Sequence, residues 1–205
     1  MMNTTTYCVA GNARGASSYD PCAQEPLVGE DARRMLTTAT GDDWTPVGRA
    51  AFGGVVAAIV VVVLFHLREA AWVPLLDGAN LMIHEAGHPL FGIFGEDATV
   101  YGGTALQLLV PLAFAVSFWR RRQSASFALM GVWLAESLLN VARYVADARE
   151  QALPLLGGDH DWAEILWRWD LLDADQAIAK LLRWFAAVGL VATVVWLRRR
   201  LSREG

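Results

Sequence analysis

Asn80-Leu81-Met82-Ile83-His84-Glu85-Ala86-Gly87-His88-Pro89-Leu90-Phe91 is the stretch whose reading decides the fold. It sets an H-E-x-x-H pattern inside an otherwise apolar segment. On a helix, side chains four residues apart project from one face, so His84 and His88 can share a zinc ion. Glu85 beside them is placed to take a proton from a metal-bound water. Metal chemistry in so apolar a segment calls for surroundings that are themselves apolar, and the rest of the chain supplies them.

Outward from this stretch, apolar runs follow one another at 47–67, 75–94, 102–119, 124–145 and 177–197. A hydrophobic fraction of 55%, a mean hydropathy of +0.32 and nine tryptophans are too apolar for an ordinary soluble domain of 205 residues. The runs predict an all-α fold: a polytopic membrane helical bundle of about five transmembrane helices. An interfacial helix is expected where Trp162, Ile165, Leu166 and Trp169 repeat at helical spacing. Residues 1–46, polar and without periodicity, read as a mostly disordered tail, with 47–205 as the membrane domain. Met35 is an alternative start. Tryptophans at 44, 72, 119, 184 and 196 fall near run ends, as membrane-interface anchors do. The triplets Arg120-Arg121-Arg122 and Arg198-Arg199-Arg200 close two runs and predict an N-outside, C-inside orientation.

Charge and thiol content exclude other chemistries. A net charge of −4 without a basic patch argues against a nucleic-acid partner. Both cysteines, Cys8 and Cys22, lie in the tail, so a cysteine nucleophile within the bundle is excluded, and a disulfide requires an oxidising compartment.

A catalytic zinc needs three protein ligands and an open position. His84 and His88 supply two. The ends of the second and fourth runs and the polar stretch 146–176 must share one side, which brings three candidates within reach. His160 is favoured as the third ligand by residue type, with Asp161 and Asp147 as alternatives; His66 ends the first run on the opposite side. Glu136, Asn140, Arg143 and Asp147 form one polar stripe on the fourth run, readable as an interior network or as support for a metal site. Asp77 and Asn80 are read as caps at the start of the second run, and Pro89 as a kink that opens the site.

The H-E-x-x-H pattern within a membrane run resembles the site-2 protease family of intramembrane zinc metalloproteases, particularly its small bacterial members. The resemblance implies zinc at His84 and His88, with Glu85 as general base and acid in hydrolysing peptide bonds of a membrane-associated protein or peptide. It also implies a bacterial inner membrane. The family's aspartate ligand lies in an Asn…Pro…Asp-Gly pattern, whereas here Asn140 and Asp147 stand without the proline and glycine. The alternative is a non-catalytic integral membrane protein, with a structural metal site or a degenerate protease-like scaffold.

Overall fold

The computed structural model describes residues 44–68, 72–155 and 159–201. Met35, Cys8, Cys22, Gly157, Gly158 and Arg203, and with them the tail reading of 1–43, lie outside the described residues. Among those described, six α-helices and a 3₁₀ turn form the fold, and the only β-type pairing is an isolated bridge between Val47 and Leu201. The helices are α1 (Arg49–His66), α2 (Leu76–Gly92), α3 (Glu96–Arg120), α4 (Ser124–Ala146), α5 (Asp161–Arg168) and α6 (Asp175–Arg198). Four of them, α1, α3, α4 and α6 with the 3₁₀ turn before it, are long and apolar enough to cross a membrane.

Polarity is distributed inside out. Asp77, Asn80, His84, Gln107, Glu136 and Ser137 are buried, while Val60, Leu64, Leu112, Phe114, Phe185 and Val191 are exposed on the flanks of the long helices. An apolar outer surface of this kind is a liability in water and an asset against lipid.

The ends of the helices fix the topology. The Val47 N–H bonds the Arg200 carbonyl at 3.0 Å, and the Thr45 N–H bonds the Arg122 carbonyl at 2.9 Å. The start of α1 and the ends of α3 and α6 therefore meet at one end of the bundle, which carries both arginine triplets. Trp44 is nearly fully buried there against Trp119, Phe127 and Trp196, with Arg200 over its ring. Trp44 and Thr45 thus belong to the folded unit rather than to the tail, because their contacts are to α3, α4 and α6. The opposite, loop end holds the end of α4, all of α5 and the start of α6. The start of α3 joins it: Asp97 pairs with Arg168 of α5 at 2.6 Å, and Tyr101 stacks on Trp169.

The helices do not simply alternate up and down five times. Five crossings put the first and last helix ends on opposite sides, but here they are bonded to each other. The difference lies in α2, which is only 17 residues long and carries Asp77, Asn80, His84, Glu85 and His88. The last residue of α1, His66, shares a cavity with Arg143 and Arg183, towards the loop end of α4 and α6. α1 ends and α3 begins on the loop side, and α2 runs from midway along the bundle to that same side. Its polar start is neutralised midway along the bundle: Asn140 donates to Asp77 at 2.6 Å, and Asn80 joins Trp133, Glu136 and Ser137. Asn80 is therefore a tie to α4 rather than a helix cap, while Asp77 does accept a backbone N–H, that of Val73.

The α2–α3 seam is built from glycine. A Cβ on Gly87 would lie 2.2 Å from the Gly102 carbonyl oxygen, and one on Gly102 would lie 2.5 Å from the Gly87 oxygen. Only glycine allows backbones this close, the close-packing logic of small residues between membrane helices.

Candidate metal centre

The sequence places His84 and His88 one helical turn apart, and α2 delivers them as neighbours with ring centroids 5.0 Å apart. The third group is Asp161. Its Oδ2 lies 2.9 Å from His84 Nε2 and 3.5 Å from His88 Nε2, and all three donor atoms fall within 4.8 Å of one another. Tetrahedral zinc with bonds near 2.0–2.1 Å sets its ligands roughly 3.3 Å apart. The two carboxylate–imidazole distances bracket that value, so this donor set fits such an ion.

The remaining ring nitrogens are already engaged. His84 Nδ1 lies 3.2 Å from Gln107 Oε1, and His88 Nδ1 lies 2.9 Å from the Thr99 carbonyl oxygen. Both facing atoms are oxygens that accept, so each Nδ1 can donate to its partner and the two Nε2 atoms are left facing the shared space. Gln107 is held in turn, donating to Asn140 Oδ1 at 2.9 Å, and Asn140 donates to Asp77. A chain of amides thus runs from the buried start of α2 to the first histidine. Outer partners of this kind orient metal-binding histidines and raise their basicity.

Gly103 closes one side. A Cβ there would sit 2.6 Å from His84 Nε2 and 2.8 Å from His88 Nε2, so α3 presses bare backbone against the donor atoms. On the other side is a cavity of about 370 Å³, lined by His84, Glu85, His88, Asp161, Tyr144 and Trp72 among others. Glu85 thus faces the same space as the donor atoms. Among the described residues the metal-competent group has three protein donors, with room for a further ligand.

Asp161 takes the place expected of His160, and the reason is a helix start. His160 is the N-cap of α5: its Nδ1 accepts the Ala163 N–H at 3.1 Å, and its Nε2 faces Asp147, 3.3 Å from Oδ2. Both ring nitrogens are thereby committed away from the histidine pair. Burial lowers the His160 pKa below its ordinary value, against the opposing pull of Asp147. Asp147 is not brought to the histidine pair either, since its two carboxylate oxygens accept the Ala152 and Leu153 N–H groups and shape the loop. Asp161, the first residue of α5, points inward instead, with its own N–H 3.2 Å from the Tyr144 hydroxyl. His66 lies apart from the trio, in the second cavity, although on the loop side rather than the opposite one.

Gln107, Gly103, Tyr144 and Thr99 are parts of the centre that sequence reasoning missed. A signal existed for the first two: Gln107 is the one amide side chain in the run 102–119, which has no charged residue, and Gly102-Gly103 opens that run. The Thr99 contact uses a backbone carbonyl, for which no side-chain pattern exists. No family model, no curated protein and no solved structure matches this chain.

Proposed function

We propose that the chain is a zinc-dependent hydrolase embedded in a membrane, acting on peptide bonds of membrane-associated protein or peptide substrates. The observation that carries the reading is the carboxylate of Asp161 set between two Nε2 atoms, each histidine fixed through Nδ1, beside an open cavity that Glu85 also lines. Structural zinc sites are closed by four protein ligands, whereas catalytic ones keep a position open. Three donors and a cavity favour catalysis over the scaffold alternative.

His84, His88 and Asp161 would hold a zinc ion, which would supply Lewis acidity towards a carbonyl and a bound water. The chain's own residues do the rest. Glu85 accepts the proton of the attacking water and returns it to the leaving amine. Tyr144 holds Asp161 through the backbone N–H and presents a phenol to the cavity. Trp72, Leu81, Val100 and Leu155 give the cavity an apolar wall suited to a hydrophobic peptide segment. The resemblance of the H-E-x-x-H run to site-2 proteases points to the same chemistry, with Asp161 standing where that family's aspartate would be required.

The membrane arrangement belongs to this reading. Four crossings put the start of α1 and the end of α6 on one side. Arg49 and the two arginine triplets at that end assign it to the cytoplasm, and the metal centre then lies towards the opposite face of a bacterial plasma membrane. The deciding measurement is metal content of purified protein together with peptide hydrolysis in micelles. One zinc per chain and activity abolished by Glu85→Gln with zinc retained is the expected result. Stoichiometric iron in place of zinc, or Glu85→Gln with full activity, would overturn the proposal, since two histidines and one carboxylate also suit ferrous iron.

A further inference from the structure

A second cavity, of about 390 Å³, opens among α1, α4 and α6. Its walls are of two kinds. Val63, Leu67, Leu139, Ala187 and Leu190 are apolar, and His66, Arg68, Arg143 and Arg183 are basic; no carboxylate lines it among the described residues. We propose that this cavity binds one anionic phospholipid, its phosphate held by Arg68 and Arg183 and an acyl chain lying along the apolar wall.

Four features carry the assignment. The cations come from three separate helices and converge, whereas arginines that merely snorkel to an interface diverge to reach water. Arg68 follows the end of α1, while Arg183 lies eight residues into α6, about 12 Å from its start at helical rise. That depth suits a headgroup with its tail directed inward. His66 donates from Nδ1 to the Val62 carbonyl at 3.0 Å, leaving Nε2 as the ring's remaining polar atom. Finally, the neighbouring outer faces are apolar: Val63, Leu64, Val188 and Val191 are all exposed, so the basic pocket opens onto the surface where acyl chains would run. Arginine forks match phosphate oxygens, and a low-dielectric wall strengthens that attraction. Arg143 lines both this cavity and the one with the metal-competent trio, so the lipid would sit against the far side of the wall that encloses the metal.

Native mass spectrometry of the full chain, released from micelles containing equal amounts of phosphatidylglycerol and phosphatidylcholine, tests the proposal. The wild type is expected to retain a single phosphatidylglycerol. Arg68→Gln with Arg183→Gln should lower that retention about 30-fold, while Arg198→Gln with Arg199→Gln, at the opposite end, leaves it unchanged. Equal retention of both lipids, or retention equally sensitive to the two double variants, would show general interfacial attraction and sink the idea. Displacement of the lipid by oleate or inorganic phosphate at equal concentration would also overturn it, because the recognised unit would then be a free anion. Helical content and monodispersity, measured on each variant, separate lost binding from lost folding.

Discussion

Glutamine at position 85 preserves the size and the cavity lining of Glu85 but cannot accept a proton. Glu85→Gln should therefore keep the metal and lower turnover by 10²-fold or more, measured as kcat at saturating peptide beside zinc content. Asp161 and His160 make a sharper pair, because they are adjacent in sequence and opposite in role. Asp161→Asn removes the anionic donor and is expected to weaken zinc binding by at least tenfold in a chelator competition. His160→Ala should leave zinc affinity unchanged and instead cost about 1 kcal/mol of stability through the lost cap of α5. Which of these two residues faces the histidines was not legible in the sequence. Residue type favours His160, but the choice turns on one backbone step: the cap residue has extended geometry, with ψ at 103°, and the following residue is the first to point with the helix. His84, Glu85 and His88 were legible because their relation is local, set by helix spacing alone.

The seam between α2 and α3 governs the centre at the level of elements. Gly87 and Gly102 let the two helices touch backbone to backbone, and Gly103 bears directly on both donor nitrogens. Gly103→Ala is expected to push the imidazoles aside, reducing metal content at least tenfold while the helices remain folded, as judged by circular dichroism. Gly102→Leu should separate the helices and destabilise the protein by roughly 1–3 kcal/mol or more, the range for overpacking a tight contact. Helix existence was largely legible in the apolar runs, since 47–67, 102–119, 124–145 and 177–197 all became helices with shifted ends. The course of α2 was not. A run of twenty apolar-rich residues reads as a crossing, yet Asp77 and Asn80 find their side-chain partners on α4, and those partners lie distant in sequence. The amphipathic α5 was correctly placed in chain order, but its Ile165 and Leu166 are buried in the protein rather than in lipid, leaving Trp167 and Trp169 outermost.

Across the whole molecule, the bond between Val47 and Arg200 brings the first and last helix ends together, which in the proposed membrane arrangement would make the number of crossings even. With Cys8 and Cys22 replaced by serine, a cysteine at Arg199 should react with a membrane-impermeant maleimide only after permeabilisation, whereas one at Gln151 should react in intact cells. Equal access at both positions would exclude four crossings in this orientation. The donors of the metal centre also come from widely separated parts of the chain, with His84 and Asp161 lying 77 residues apart. During synthesis the two histidines emerge first, and α3 and α4 must both be in place before the aspartate arrives. A nascent chain therefore holds an incomplete set of donors for most of its translation. On the proposed zinc reading, the chain would become able to hold an ion only after α5 has been made and has packed against the helices that precede it.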